Sequence, residues 1–405
     1  MVIFAGVKKK VIVGLSGGVD SSVAAHVLLE QGYDVEALFM RNWHDTTGLI
    51  QSECHWEDDV MFAEMVAKKL GIPFHFTDLS DEYRRRVVDY MFAEYGRGRT
   101  PNPDILCNRE IKFDSFASEA GKLGCDFIAT GHYCRKELSV QHNKVIYRLL
   151  AGTDRNKDQS YFLCQVTQDQ LAGALFPVGG MTKSEVRETA ARLRLPTAHR
   201  KDSQGICFVG KVHLPVFLQQ KLKPREGKII DIPADAIPEI RKSFPEISSA
   251  GTEELKSLAS PYRFTPEAGK IAGYHNGAHF YTIGQRKGLN IGGRREPLFV
   301  IATDTVENII YVGEGRSHPG LYRRGLFIRK VDIHWIRPDL GMAEGEIREY
   351  NVRIRYRQPL QKAHLFCRPE GIYIIFQRLQ RGITPGQFAA WYDGDEVLGS
   401  GVIAE

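Results

Sequence analysis

Residues 14–22 read GLSGGVDSS, and this stretch decides how the first part of the chain folds. The strand-forming run VIV (11–13) precedes it, and a helical pattern that should end at Gly32 follows it. Gly17 and Gly18 carry no Cβ, so backbone N–H groups can approach an anion there, and the start of the helix adds free N–H groups and a positive dipole end. The stretch therefore predicts a phosphate-binding loop between a strand and a helix.

The loop matches neither of two common phosphate-binding patterns. It lacks the lysine of G-x-x-x-x-G-K-[ST] and the spacing of G-x-G-x-x-G. Ser16, Ser21 and Ser22 can donate hydroxyl hydrogen bonds to phosphate oxygens. Asp20 beside the phosphates is typical of a site that also takes Mg²⁺.

Strand and helix patterns alternate through the N-terminal part of the chain. The strand-like runs after the loop are VEALFM (35–40), IPFHFTDL (72–79) and CDFIATGHY (125–133). The helical patterns between them cover about 55–70, about 80–95 and 113–124. This order predicts an α/β fold with a doubly wound parallel sheet, whose ligands bind at the carboxyl ends of the strands. GLSGGVDSS and ATGHY both lie at such ends.

The length and composition predict a multidomain globular protein. The chain has 405 residues, more than one ordinary core holds, with 43% hydrophobic and 25% charged residues. No apolar run approaches the roughly 18 residues of a membrane span, and the N-terminus lacks signal- or transit-peptide features, so we expect a cytoplasmic protein with no membrane partner. The net charge of +5 allows an anionic partner without identifying it.

Changes in composition and in hydrophobic periodicity divide the chain into three predicted domains. Residues 1–212 form the α/β domain, and 213–295 form a central domain with an insertion near 235–268. Residues 296–405 alternate polar and apolar side chains and form an antiparallel β-barrel. Within it, VRIRYR (352–357) should be a strand that points three arginines outward toward phosphates.

Two of the seven cysteines are candidates for chemistry. The odd number and the absence of C-x-x-C pairs argue against a disulfide framework or a zinc site. Cys107 in RTPNPDILCNREIKF (99–113) and Cys207 in KDSQGICFVG (201–210) should lie in loops, where nearby cations lower the thiol pKa. Those cations are Arg109, Lys112, Arg200 and Lys201. We interpret the others as small apolar residues, namely Cys54, Cys125, Cys134, Cys164 and Cys367.

The chain resembles the bacterial and mitochondrial tRNA-specific 2-thiouridylases, which belong to the PP-loop ATP pyrophosphatases. The string S-G-G-x-D-S is the signature of that ATP loop. The other matching segments run in family order to the C-terminus: FMRNW, TPNPDILCNREIKF, ATGHY, DRNKDQSYFL, FPVGGMTKSEVRETA, KDSQGICFVG, FYTIGQRKGLNIGG, RIRYRQ and TPGQFAAWYDGDEVLGSGVI. The resemblance implies an ATP-binding catalytic domain first and a tRNA-binding barrel last.

The resemblance also implies a reaction. ATP with Mg²⁺ adenylylates O2 of the wobble uridine of tRNAs of the Lys, Glu and Gln type, and sulfur replaces that oxygen. Cys207 receives the sulfur as a persulfide from a sulfur-carrier or desulfurase partner. Cys107 is the nucleophile, which attacks C2 or releases sulfide by forming a disulfide with Cys207, and Asp104 is the general acid/base.

The remaining carried-over residues are binding residues. The implied ATP contacts are Gly14, Leu15, Ser16, Gly17, Gly18, Val19, Asp20, Ser21, Met40 and Gly131. The implied tRNA contacts are Asn102, Pro103, Asp104, His132, Lys157, Asp158, Gln159, Arg355, Tyr356 and Gln387. Many members of the family have Met where this chain has Leu15. This position should point into the sheet, where replacing Met by Leu has a small effect on packing.

Three alternatives remain open from the sequence. Asp104, Cys107 and Cys207 could ligate an iron–sulfur cluster that delivers sulfide, although such sites usually have four closely spaced cysteines. Another PP-loop ATP-dependent synthetase would need its own ammonia or amino-acid site, and no such segment is evident. A non-catalytic RNA-binding protein would not need two cysteines beside an ATP site.

Overall fold

The computed structural model describes residues 8–43, 56–141, 143–202, 205, 207, 214–237 and 250–405. The strands are β1 (Lys10–Gly14), β2 (Asp34–Arg41), β3 (Phe74–Asp78), β4 (Phe127–Ala129), β5 (Cys134–Gln141), β6 (Lys144–Ala151), β7 (Ala174–Leu175), β8 (Gly227–Asp231), β9 (Lys270–His275), β10 (Leu298–Asp304), β11 (Ile309–Glu314), β12 (Tyr322–Arg329), β13 (Ile333–Trp335), β14 (Ile347–Arg353), β15 (Gln361–Arg368), β16 (Gly371–Arg381), β17 (Phe388–Asp393) and β18 (Glu396–Val402).

The α-helices are α1 (Val19–Glu30), α2 (Trp56–Leu70), α3 (Ser80–Tyr83), α4 (Asp89–Gly96), α5 (Pro103–Leu106), α6 (Phe116–Lys122), α7 (Gln168–Ala172), α8 (Lys183–Arg192), α9 (Leu214–Leu218) and α10 (Thr252–Ala259). Two π-helical segments, Arg84–Val88 and Cys107–Ser115, join α3 to α4 and α5 to α6. Each set of three therefore forms one continuous helix.

The N-terminal domain is built on a five-stranded parallel sheet in the order β3-β2-β1-β4-β7. Val11 and Val13 face α1 and α2, whereas Ile12 between them faces the helices from α3 to α6. Helices therefore cover both faces, as predicted for a doubly wound sheet. The first two helices end as the sequence indicates, at Gly32 and Gly71, which have φ of 86° and 69°.

One segment differs from the sequence prediction. RTPNPDILCNREIKF was expected to be a loop, but from Pro103 onward it is helical. The side chain of Asn102 accepts a hydrogen bond from the Ile105 N–H at 3.3 Å. Asn at the cap followed by Pro at the first helical position is a start signal, because proline has no N–H to leave unpaired there. Cys107 therefore lies in a helix and not in a loop.

The central domain contains two strands that the sequence assigned to the barrel. Its four-stranded sheet has the order β10-β11-β8-β9, so the strands within 298–314 pair with strands on the other side of the predicted boundary at 295/296. Ile310 pairs with Ile229 in parallel, and both are fully buried. The boundary therefore moves past residue 314, because alternation alone does not say which sheet a strand joins.

The third sheet crosses between domains. Its order is β12-β16-β15-β14-β17-β18-β6-β5, with β13 also paired to β18, so the hairpin β5–β6 of the N-terminal domain extends the C-terminal sheet. Gly401 of β18 packs directly on Ile328 of β12 and brings the ends of the barrel together. The two domains therefore share one sheet and one continuous core.

The arginine-rich strand is shorter and less exposed than expected. β14 ends at Arg353, and Arg357 has a positive φ of 62°. Val352 and Ile354 are buried in the barrel as predicted, but Arg353 is also buried, because the N-terminal domain covers this face. Its guanidinium donates to Asp158 at 3.0 Å and lies 4.9 Å from the centre of the Tyr392 ring.

The predicted insertion packs on both neighbouring sheets: the Phe264 ring lies 5.5 Å from the Tyr311 ring of the central sheet, whereas helix α10 packs on the barrel. Residues 238–249 of this insertion lie outside the described residues. Leu255 and Leu258 of α10 pack against β15 and β16 through Phe366, Tyr373 and Ile375. Across the described parts of the chain, no helix is long and apolar enough to cross a membrane.

Candidate functional site

The glycine loop forms a tight cradle at the carboxyl end of β1. Gly17 has a φ of 73°, and a Cβ there would lie 2.3 Å from the carbonyl oxygen of Asp59. The hydroxyls of Ser16 and Ser21 are 3.1 Å apart, and Ser21 also donates to the Gly18 carbonyl at 3.1 Å. Position 17 therefore has no room for a side chain, and only glycine adopts this left-handed turn without strain.

Predicted nucleotide contacts surround this loop. A Cβ on Gly131 would lie 2.7 Å from the Ser21 nitrogen, so the ATGHY segment packs directly on the first turn of α1. Gly14 lies close to the Met40 side chain: a Cβ on Gly14 would be 3.7 Å from the Met40 methyl carbon. Leu15 is buried in the sheet, as predicted.

Cations also border the loop. Lys183 donates to Asp20 at 2.6 Å and pairs with Asp202 at 2.9 Å, and Arg200 donates to the Gly17 carbonyl at 2.9 Å. These positive groups can balance the charge of a triphosphate. Asp20 is one partly exposed carboxylate beside the loop, which fits Mg²⁺ held mainly by phosphate oxygens and water.

The two candidate cysteines meet in one centre, in which Cys107 is buried and Cys207 is half-buried. The Asp104 carboxylate accepts the Cys207 backbone N–H at 2.9 Å, and the Tyr83 hydroxyl donates to the Cys207 carbonyl at 2.6 Å. Both cysteines are free thiols, and each thiol shifts the ionisation of the other. Elements far apart in sequence thus hold Cys207 against the Cys107 helix.

The two thiols differ in acidity. Burial and the neighbouring Cys207 raise the pKa of Cys107 well above its usual value. The hydrogen bond from Cys107, with help from Lys112, lowers the pKa of Cys207 although burial opposes this. Burial raises the pKa of Asp104. The sequence predicted that nearby cations lower the pKa of both thiols. The structure agrees with this for Cys207, whereas the pKa of Cys107 is raised.

Only one of the four cations expected near the cysteines faces them. Lys112 acts on both thiols and on Asp104. Arg109 instead binds Glu110 and Gln165, at 2.6 and 2.8 Å. Arg200 serves the glycine loop, and Lys201 is exposed. Arg109 turns away from the thiols because a helix points successive side chains in different directions.

The cysteine centre and the glycine loop are joined by two consecutive residues. Gly131 packs on the loop, and the Nε2 of His132 lies 3.4 Å from the Lys112 ammonium. Burial and Lys112 lower the pKa of His132 well below its usual value, so its ring is neutral. The carboxyl end of β4 therefore connects the phosphate-binding loop to the thiols.

Several predicted tRNA contacts meet at the seam between the N-terminal domain and the barrel. Gln387 of the barrel donates to the carbonyls of Thr100 and Pro101, at 2.9 and 3.1 Å, and lies 3.4 Å from the Asn102 amide. The Tyr356 ring packs 4.5 Å from that of Phe162. Arg355 donates to the Gly382 carbonyl, and the Tyr161 hydroxyl donates to the Phe388 carbonyl of the barrel at 3.0 Å. This seam lies immediately before the helix that bears Pro103, Asp104 and Cys107.

The predicted contacts at 157–159 are largely occupied by the protein itself. Lys157 pairs with Asp202. Asp158 is buried and accepts from Arg353 and from the backbone N–H groups of Gly152 and Ser160. Gln159 accepts the Tyr133 N–H at 3.0 Å. Asp158 thus forms an ion pair between the two domains with Arg353. It cannot bind an external ligand without breaking that ion pair.

The other cysteines lie outside this centre. Cys134 and Cys164 are buried, and Cys125 and Cys367 are half-buried, whereas Cys54 lies outside the described residues. In the described ranges, no group of three or more His, Cys, Asp or Glu side chains is arranged to hold a metal ion. The iron–sulfur alternative gains no support from these positions.

Two site residues escaped the sequence analysis. Tyr83 lies in the helix predicted over about 80–95, and nothing local signals that its hydroxyl meets Cys207. Lys183 stands in the quoted segment FPVGGMTKSEVRETA, but its proximity to Asp20 depends on the tertiary fold. The capping box of Thr182 and Glu185 does mark the start of that helix.

Comparisons with known proteins cover almost the whole chain. The family model described as tRNA methyl transferase HUP domain matches residues 9–211. The tRNA methyl transferase PRC-barrel domain matches 262–314, and the Aminomethyltransferase beta-barrel domain matches 325–403. The PRC-barrel match ends at residue 314, which is also the last residue of β11 in the central sheet.

Curated relatives match over their full length or nearly so. The tRNA-specific 2-thiouridylase MnmA of Christiangramia forsetii is 56% identical over 98% of this chain and 100% of its own. That of Flavobacterium johnsoniae is also 56% identical, with the same coverage. That of Halalkalibacterium halodurans is 42% identical over 97% of this chain and 94% of its own.

Proposed function

The chain belongs to the tRNA-specific 2-thiouridylases, and from this premise we propose that it activates O2 of the wobble uridine with ATP and replaces that oxygen with sulfur carried by Cys207. The observation that carries the proposal is the connection of the glycine loop to the cysteine pair through Gly131 and His132. An enzyme that first adenylylates a base and then thiolates it needs both groups within reach of one bound nucleotide.

The glycine loop performs the activation. O2 attacks the α-phosphorus of ATP and pyrophosphate leaves, so the uridine carries an adenylyl group. The backbone of residues 14–21 cradles the phosphates, and Met40 and Gly131 lie against the nucleotide. Lys183 and Arg200 neutralise the leaving pyrophosphate. Asp20 is the residue that would hold Mg²⁺, which supplies charge stabilisation on the phosphates when bound.

The cysteine pair performs the sulfur transfer. A partner sulfur carrier loads Cys207 as a persulfide. The Cys107 thiolate attacks the inner sulfur of that persulfide, forms the Cys107–Cys207 disulfide and releases HS⁻, which attacks C2 and expels AMP. A thiol reductant then supplies two electrons to restore both thiols. Asp104 is suited to move protons here, because burial raises its pKa toward neutrality.

The alternative route uses Cys107 directly on C2. In that route the Cys107 thiolate expels AMP from C2, and the outer sulfur of the Cys207 persulfide then displaces Cys107 from C2. The freed Cys107 thiolate attacks the Cys207 sulfur, which breaks its bond to the transferred sulfur, forms the Cys107–Cys207 disulfide and leaves 2-thiouridine. The adjacency of the two side chains is compatible with both routes. Both routes end in the Cys107–Cys207 disulfide, so the routes are distinguished by a covalent Cys107–tRNA adduct, which only the direct route forms and which should accumulate in Cys207→Ser.

The seam between the domains is the proposed tRNA platform. Asn102, Pro103 and Asp104 would frame the extruded base, and the aromatic pair of Tyr356 and Phe162 offers a surface for stacking. His132, Lys157, Gln159, Arg355 and Gln387 complete the proposed set. Of the predicted contacts, Asp158 would act indirectly, by tying the barrel to the N-terminal domain.

The test is pyrophosphate release from ATP. We expect release that depends on tRNA and survives Cys107→Ala, since activation precedes sulfur transfer. Cys125→Ala is the matched control, because this cysteine is half-buried and outside the centre. Release that ignores tRNA and requires a small amine acceptor would instead identify a different ATP-dependent synthetase.

A further inference from the structure

The three domains meet beside Thr100, just before the segment proposed to frame the base. Gln387 of the barrel donates to the Thr100 carbonyl at 2.9 Å. From the central domain, the Thr282 hydroxyl lies 3.1 Å from the Thr100 hydroxyl. Two residues of extended chain span at most about 7 Å, so both contacts lie close to Asn102. A nucleotide held at Asn102 and Asp104 therefore has a loop of the central domain as its neighbour.

That loop, residues 281–288, begins and ends at buried side chains. Phe280 just before it is buried in the core shared by the N-terminal domain and the barrel, and Tyr281 packs against that core and against the central one. Leu289 just after the loop is buried in the central core. Packing therefore fixes where the 281–288 loop stands relative to Thr100.

Hydrogen bonds within the 281–288 loop hold it in one shape. The Gln285 side chain accepts the Thr282 N–H at 3.1 Å and donates to the Lys287 carbonyl at 2.8 Å. The Tyr281 hydroxyl donates to the Gly288 carbonyl at 3.0 Å, which closes the loop. Gly288 has a φ of 87°, which glycine adopts without strain. A loop braced in this way loses little conformational entropy when a ligand binds to it.

The exposed part of this braced loop carries two cations. Arg286 and Lys287 are exposed, and within the described ranges neither of them pairs with a carboxylate. Arg294 of the same domain differs, because its guanidinium lies 2.7 Å from the Asp231 carboxylate. Four residues separate Arg286 from Thr282, so the Cα atoms of these two residues lie within about 14 Å of each other. The loop therefore presents a fixed positive surface next to the three-domain junction.

We propose that the 281–288 loop binds the phosphate backbone of the anticodon stem-loop through Arg286 and Lys287. This rests on the proposed function, which supplies the RNA. A base that enters the site at Asp104 brings the phosphates that flank it, and nearby cations must balance their charge. Arg355 would do so from the barrel, and the loop does so from the central domain.

The position of the loop favours RNA over an acidic protein as its partner, because the loop stands beside the segment that would frame the base. Contacts to phosphate carry no sequence information. The loop therefore fixes where the stem-loop lies on the protein and does not select the sequence of the RNA.

The test measures binding of the isolated anticodon stem-loop to the full chain by fluorescence anisotropy, between about 50 and 200 mM salt. Each phosphate contact contributes about 0.7–0.9 to the slope of log K against log salt. Arg286→Gln and Lys287→Gln should each lower that slope by about this amount. The double variant should weaken binding at least about tenfold at about 100 mM salt. Arg294→Gln is the matched control, because it removes a charge from the same domain that is already paired, and it should leave the slope nearly unchanged.

A slope that is the same in the double variant and in the unchanged chain would overturn the inference. Weaker binding of full-length tRNA alone, with the isolated stem-loop unaffected, would also overturn it, because the loop would then contact another part of the RNA. If an acidic sulfur-carrier protein is the partner, RNA binding will stay unchanged while loading of Cys207 slows, which contradicts the inference as well. Failure of the proposed function is separate, because it would appear as pyrophosphate release that ignores tRNA, whatever the slopes are.

Discussion

The ion pair between Asp158 and Arg353 should be a main bond between the N-terminal domain and the barrel. The side chains are 2% and 11% exposed, and their atoms are 3.0 Å apart. Arg353→Met leaves the Asp158 carboxylate buried with two backbone N–H donors but without its cation. Removing one partner of a buried pair costs about 3–5 kcal/mol, and we expect about 3 kcal/mol because those two donors remain.

The assay is urea unfolding of the full chain followed by tryptophan fluorescence. Arg155→Met is the matched control, because Arg155 also bridges the two domains, to Asp395 at 2.6 Å, but is 63% exposed. An exposed pair contributes about 0–1 kcal/mol, so this control should change little. A double-mutant cycle with Asp158→Asn should give a coupling energy of about 2 kcal/mol or more. If Arg353→Met and Arg155→Met lowered the free energy of unfolding by the same small amount, the Asp158–Arg353 pair would not stabilise the contact between the domains.

Three further predictions concern the loop, the insertion and acid stability. Gly17→Ala should raise the KM for ATP at least about tenfold, because a left-handed conformation costs an L-residue about 1–2 kcal/mol and the new Cβ meets the backbone; Gly18→Ala, where only a serine hydroxyl is near, should change it far less. Leu255→Ala should lower the free energy of unfolding by about 3 kcal/mol in urea titrations, since α10 buries this side chain on the barrel; an unchanged midpoint would mean that the helix is not docked. The hydrogen bond from Arg41 holds the pKa of Asp78 at about 2, below its ordinary 3.8, so its stabilisation is complete above about pH 4 and is lost as pH falls through 2. The difference in melting temperature between the unchanged chain and Asp78→Asn should therefore shrink from pH 5 to pH 2, and a constant difference would contradict this.

Much of the α/β domain could be predicted because its signals are local. The β-branched run, the glycine loop and the helix-ending glycines at 32 and 71 each determine the conformation of a few neighbouring residues. The segment before Cys107 was misread because its prolines were taken as loop markers. Asn102 followed by Pro103 is instead a helix start, which could have been recognised from the sequence.

Other features depend on tertiary contacts that no local pattern encodes. Alternation in 298–314 predicts strands correctly but does not say that they pair with β8. Arg353 has the spacing of an exposed residue, yet another domain covers its face. The π winding at Cys107 and the hydroxyl of Tyr83 have no sequence signal, so these two features of the cysteine centre emerged only from the structure, whereas Asp104 and Lys112 were expected there.

The central claim is that this chain places sulfur on a tRNA uridine through Cys207. The most direct measurement is nucleoside mass spectrometry of tRNA from a strain that lacks the native thiouridylase and carries this chain or a variant. The unchanged chain and Cys125→Ser should restore 2-thiouridine at the wobble position, whereas Cys207→Ser should restore none while binding tRNA within a few fold of the unchanged chain. Restoration of 2-thiouridine to the full level by Cys207→Ser would contradict the account.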